Sequence, residues 1–99
     1  MAVLDEIVKY ANQLMLERPI SDYCPNGLQV QGNEKINKIV TGVTASQALL
    51  EQAVNLGADA ILVHHGYFWL NESYVLKGIK HKRIKTLLLN DINLFAYHL

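Results

Sequence analysis

The feature that most constrains this chain is an alternation, over residues 39–97, of short β-branched apolar runs with helix-patterned stretches. Ile39, Val40, Thr41, Gly42 and Val43 form the first run, and Ala60, Ile61, Leu62 and Val63 the second. Residues 92–97 form the third. The second run is too short and too β-branched for a helix, and being apolar throughout it must be covered on both faces. Between the first two runs, Thr44 predicts a helix N-cap and Gln47 reaches back to it as a capping box. Ala48, Leu49, Ala53 and Leu56 supply that helix with an apolar stripe, and Gly57 stops it. A second helix over residues 79–89 sets Ile79, Ile84, Leu87 and Leu88 against Lys80, Lys82, Arg83 and Lys85, and Asn90 ends it. Strand, helix, strand, helix, strand implies right-handed crossovers and a parallel arrangement.

Ahead of this unit, Val3, Leu4, Ile7, Val8, Ala11, Leu14 and Met15 recur at helical spacing until Pro19, which predicts an amphipathic helix over residues 2–17. Turn formers crowd residues 21–27, and a short strand follows over 28–32. The expected fold is therefore α/β, a three-layer type with a parallel-containing sheet behind an amphipathic helix. Ninety-nine residues allow one such domain and hardly two.

Composition narrows the functional classes. Hydrophobic residues make up 51% and charged residues 18%, below the roughly 25% usual for globular domains, so extra buried surface and self-association are expected. Nine Lys plus Arg balance nine Asp plus Glu, which leaves no field to attract nucleic acid or an anionic membrane. One cysteine permits no disulfide framework and fits a reducing cytoplasm. No apolar run reaches the roughly 18 residues of a membrane span.

Parallel strands deliver their carboxyl ends to one sheet edge, where ligands gather. His64, His65 and His98 fall at such ends, provided that the second and third strands are neighbours. Successive strand side chains point to opposite faces, so His64 and His65 would serve two adjacent metals, or one metal if the chain leaves the strand, an exit that Gly66 permits. Neutral imidazoles ligate zinc, iron, nickel or copper, and an open coordination position supports hydrolytic chemistry. The pair equally fits a polar loop whose rings only hydrogen-bond, and a mononuclear three-histidine site is a third reading. His81 lies on the basic face of the last helix and is placed outside the site as a solvated residue. The turn at residues 41–46 lacks a phosphate-binding glycine pattern, and Cys24 has no activating neighbour, so both are read as structural.

Residues 21–32, 39–46, 63–69 and 90–99 together resemble the Nif-three-like dinuclear metal proteins, some of whose bacterial members are labelled type-two GTP cyclohydrolase I. The resemblance covers most of the chain. It implies that His64 and His65 bind two adjacent divalent ions such as zinc, iron or manganese, that His98 lines the same site, and that the subunits form a hexameric ring. It also implies water-based hydrolase chemistry on a small-molecule substrate. Members of that family continue past the position of Leu99 with an aspartate ligand, then a later histidine and glutamate. The expectation is thus the amino-terminal part of a longer two-domain hydrolase-like protein, with an incomplete ligand set that Asp91 and Glu72 are not assumed to complete, active only at full length and inactive as this isolated chain. The alternative is a non-catalytic metal-binding or assembly module.

Overall fold

β-branched runs pair because their side chains fit a pleated, half-buried surface, and three of the expected runs do so here. A computed structural model describes residues 2–15, 25–70 and 72–98. The main sheet contains β2 (Gly27–Val30), β4 (Ile39–Thr41), β5 (Ala60–Val63) and β6 (Asn93–Ala96) in the order β2-β6-β5-β4. β4 to β5 and β5 to β6 are parallel, whereas β2 joins β6 antiparallel. The second and third sequence-predicted strands are thus neighbours, with Val63 opposite Ala96 as the last pair of their register.

Alternation along these strands builds three layers. Ala60, Phe95 and Tyr97 face one side, where Leu4, Ile7, Val8 and Ala11 of α1 (Leu4–Met15) cover them. Ile61, Val63, Leu94 and Ala96 face the other, against Leu50 and Ala53 of α2 (Gln47–Asn55) and Ile84 and Leu87 of α3 (Gly78–Leu89). β5 is covered on both faces, as an apolar strand requires. Cover by α1 is incomplete near β4: Tyr10, Leu14 and Ile39 border an apolar groove of about 220 Å³.

Several boundaries differ from the pattern. Ala2 and Val3 form β1 and pair antiparallel with β3 (Lys35–Ile36), so the first helix starts at Leu4 rather than at residue 2. Periodicity along one segment does not register a partner thirty residues away. The expected strands at 39–43 and 92–97 are trimmed to the shorter spans above, and the one expected at 28–32 starts at Gly27 and ends at Val30. The cap of α2 is Ser46, whose Oγ accepts from the Leu49 N–H at 3.3 Å, not Thr44. Thr44 is instead held in a parallel bridge to His65, so extended backbone continues past β4 and the helix begins later. Gln47 does not reach back; its Nε2 donates to Thr86 Oγ1 at 3.2 Å. With that shift, Leu50 is buried and Leu56 is 55% exposed, while on α3 Ile79 and Leu88 face outward. Asn90 ends α3 as expected, its Nδ2 donating to the Thr86 carbonyl. The turn residues 21–24, including Cys24, lie outside the described residues. Among the described residues no helix is long and apolar enough to cross a membrane.

Candidate metal centre

Where the β5–β6 pairing ends, the backbone makes one departure that shapes the site. In a strand, consecutive N–H groups point to opposite sides. The N–H groups of His64 and His65 both donate to the Val43 carbonyl, at 3.0 and 2.8 Å, so the chain has left strand geometry at the histidines themselves, ahead of Gly66. Two successive side chains are thereby brought to one place. The Tyr97 N–H still donates to Val63, and His98 follows it to the same edge.

The three rings form a half-buried cluster. Ring centroids of His64 lie 4.3 Å from His65 and 4.8 Å from His98, the latter stacked at 26°. His65 and His98 are 5.1 Å apart. One ligand atom from each ring lies within 4.8 Å of the others. His64 Nδ1 lies 3.2 Å from the Tyr97 carbonyl, which can only accept, so the neutral ring takes the tautomer with the proton on Nδ1 and Nε2 as the ligand atom. Desolvation of His65, followed by the neighbouring His64 and His98 rings, holds its pKa below the ordinary histidine value. That favours the neutral, ligating form.

Trp69 borders the cluster, edge-on to His98 at 5.0 Å between centroids. Beyond it, Phe68, Trp69 and Tyr74 line a hollow of about 110 Å³, too small for the roughly 300 Å³ of a typical ligand pocket and hence a side niche. Phe68 adopts φ 63°, uncommon for a bulky residue, and the Lys80 ammonium sits 4.8 Å from its ring centroid. Glu72 pairs with Lys80 at 3.2 Å and accepts from the Trp69 N–H at 2.9 Å, so its carboxylate is engaged away from the rings. Asp91 lies in the turn before β6, at the opposite end of that strand from His98. Among the described residues the ligand group contains no carboxylate, and exposed His81 is not in it.

The donor set, three imidazoles with one ring already oriented by a carbonyl, fits a divalent zinc- or iron-class cation. Sequence reasoning found these histidines but missed the groups that hold the backbone at and beside them: the Val43 carbonyl, Asn26, whose Oδ1 accepts from the His98 N–H at 2.7 Å, and Gln29, which pairs with the Tyr67 backbone two residues after His65. Asn26 and Gly27 carried a turn signal, and no local spacing encodes a bond to a residue 72 positions on.

The sequence model of the Duf34/NIF3 (NGG1p interacting factor 3) family matches residues 2–99. The chain belongs to that family. A GTP cyclohydrolase 1 type 2 homolog of Escherichia coli K12 is 62% identical over 94 residues, which are 95% of this chain and 38% of that protein. The homolog from Pasteurella multocida is likewise 62% identical, with the same coverage. This Duf34/NIF3 chain therefore spans about two fifths of the length of these curated relatives. Among solved structures, protein ybgI, of unknown function, superposes with a TM-score of 0.93 at 59% identity, covering 97% of this chain and 39% of that one. TTHA1606 from Thermus thermophilus gives 0.88 at 34% identity, covering 98% and 40%. Reduced HcgD from Methanocaldococcus jannaschii gives 0.81 at 25%, covering 95% and 38%.

Proposed function

We propose that this chain contributes the histidine portion of a dinuclear metal centre with hydrolase-like chemistry. The observation that carries the reading is the convergence of His64, His65 and His98, with ligand atoms all within 4.8 Å of one another. His64 and His65 would hold two divalent ions, of the zinc, iron or manganese class, and His98 would line them; the count of two comes from the resemblance to dinuclear proteins, since the bend that gathers the rings also permits a single ion. A bound cation of this kind supplies Lewis acidity, activating water near neutral pH and polarising a substrate oxygen. Three neutral donors leave the charge of two cations uncompensated, so the centre needs carboxylates besides the rings, and we assign these to a longer two-domain chain or a neighbouring subunit. A cyclohydrolase-like reaction on a small molecule is the activity we assign, supported by the GTP cyclohydrolase 1 type 2 homolog names of the relatives at 62% identity. A hexameric ring and a cytoplasmic setting accompany that reading, the latter in keeping with the single cysteine.

A second reading, a metal-binding or assembly module without catalysis, draws support from the apolar groove beside Tyr10, Leu14 and Ile39. Metal per chain measured by elemental mass spectrometry on untagged protein tests the first reading. Near-stoichiometric metal is expected, lost in His64→Ala and His65→Ala and kept in His81→Ala; unchanged metal in both site variants overturns it. One ion per chain in place of two selects the mononuclear three-histidine form. Metal-dependent consumption of GTP by the longer protein that completes the ligand set separates enzyme from module, since that protein, metal-loaded and leaving GTP intact, has no cyclohydrolase activity.

A further inference from the structure

Residues 26–29, which lead into and form part of β2, include none of the clustered histidines, yet their side chains grip both segments that do. β2 pairs with β6 with Leu28 opposite Phe95 and Val30 opposite Leu94, so Gln29 is the extra residue of a bulge. Bulges re-aim side chains, and this one sends a carboxamide to the chain just beyond the histidine pair. Gln29 Oε1 accepts from the Tyr67 N–H at 2.7 Å, and its Nε2 donates to the Tyr67 carbonyl at 2.9 Å and to the Pro25 carbonyl at 2.9 Å. The side-chain amide thus pairs with the Tyr67 backbone as a neighbouring peptide group would. Asn26 does the corresponding work on the other segment, accepting from the His98 N–H at 2.7 Å.

These contacts lie where the ladder has run out. The β5–β6 register ends at Val63 and Ala96, with one further bond from the Tyr97 N–H to Val63. Beyond that point, residues 64–67 and 97–98 diverge from strand pairing, and on the β2 side two amide side chains fix their separation. Gly66 passes inside the grip without room for a methyl group: a Cβ there would run into Gln29 Oε1 and lie 2.6 Å from Ala96 Cβ.

We infer that Asn26 and Gln29 are positioning residues of the histidine cluster, fixing the backbones that carry His65 and His98 so that the rings converge before any ion arrives. The metal consequence rests on the function proposed above; the preorganisation of the rings does not. Ligand constellations must be held within about 0.5 Å of their working geometry, and loss of the groups that orient ligands typically weakens metal affinity about 10–100-fold.

The test uses the whole 99-residue chain with Gln29→Met, Asn26→Ala, Asn26→Asp and, as a core control, Leu87→Val. Histidine-ring NMR signals of the metal-free proteins are compared with their thermal unfolding midpoints, and cobalt(II) is titrated against a chromophoric chelator. Expected are displaced His65 and His98 signals in Gln29→Met and Asn26→Ala with His81 unmoved, and about 10–100-fold weaker cobalt binding. Asn26→Asp keeps the acceptor and restores the wild-type ring signals, while Leu87→Val loses stability without moving them. Ring signals unmoved in both Gln29→Met and Asn26→Ala, displaced equally in Leu87→Val, or accompanied by unchanged cobalt affinity in a chain that binds cobalt overturn the assignment. If the wild-type chain takes up no cobalt, the metal reading fails and the ring signals alone decide the positioning role. Asn26→Ala, whose site lies outside β2 and its bulge, decides it if Gln29→Met does not fold.

Discussion

Replacing Gly66 with alanine puts one methyl group between β6 and the Gln29 carboxamide. Its Cβ would sit 2.6 Å from Ala96 Cβ, where ordinary contact begins at 3.4 Å, and would collide with Gln29 Oε1 as well. Gly66 is not among the positive-φ glycines, so the cost is steric rather than conformational. Overpacking of this kind costs about 1–3 kcal/mol. Displacing Gln29 also forfeits its bonds to Tyr67 and Pro25, each worth about 1 kcal/mol net. With three such bonds, these give about 4–6 kcal/mol, a large share of the roughly 5–15 kcal/mol that holds a domain folded. At a urea slope of about 2 kcal/mol/M the midpoint falls by roughly 2–3 M. Gly57→Ala is the matched control: Gly57 has φ 70° and open space around its Cβ, so only the left-handed penalty of about 1–2 kcal/mol applies. Adding Gln29→Ala to Gly66→Ala should recover part of the loss, because one of the two obstacles is then gone. Urea unfolding followed by Trp69 fluorescence measures all four proteins. A midpoint shift for Gly66→Ala no larger than that of Gly57→Ala refutes the reasoning.

Other expectations follow from individual contacts. Ser46→Ala removes the acceptor for the Leu49 N–H and should cost about 1 kcal/mol of unfolding free energy. Thr44→Ala should cost none of that cap, and equal losses in the two would return the cap to Thr44. Tyr67→Phe removes a buried bond from the Tyr67 hydroxyl to the Ala45 carbonyl at 2.7 Å and should destabilise by about 1–2 kcal/mol. Burial pushes the Tyr67 pKa up to about 12 against the opposing effect of Arg83, so its contribution is complete below the unfolded value near 10 and is lost as pH rises towards 12. The phenylalanine variant should lack that share of the alkaline decline, and identical alkaline curves would contradict it. His65 has the opposite sign: with its folded pKa depressed, its contribution is present above about pH 6.5 and lost as pH falls, since the unfolded chain binds the proton more readily. Urea midpoints of metal-free protein between pH 7.5 and 5 should therefore drop more steeply for wild type than for His65→Ala, and parallel curves would exclude that contribution.

The order of elements was legible because it rests on local chemistry. Ala60 to Val63 cannot be a helix, and Asn90 caps the helix before it can reach β6. From that order, once the second and third strands are neighbours, it follows that His64, His65 and His98 arrive at one sheet edge. What stayed hidden depends on distant partners. β1 exists because Ala2 and Val3 meet Ile36 and Lys35, and no property of two residues signals such a pairing. Thr44 read as the cap of α2, but its bridge to His65 keeps it extended and Ser46 caps the helix in its place. Side-chain alternation suggested that His64 and His65 would diverge, and only the bend onto Val43 brings them together. Gln29 read as an ordinary strand residue because a bulge depends on register across two strands.

That bend has a consequence for how the site would register in a mutational scan. Val43 contributes a main-chain oxygen, while its side chain is 68% exposed. Truncating the side chain to alanine leaves that oxygen where it is, so substitution tolerance at position 43 should be broad although the geometry of the site depends on it. Replacing the backbone amide N–H of His64 or His65 with an ester oxygen, a change no codon makes, would expose the dependence directly.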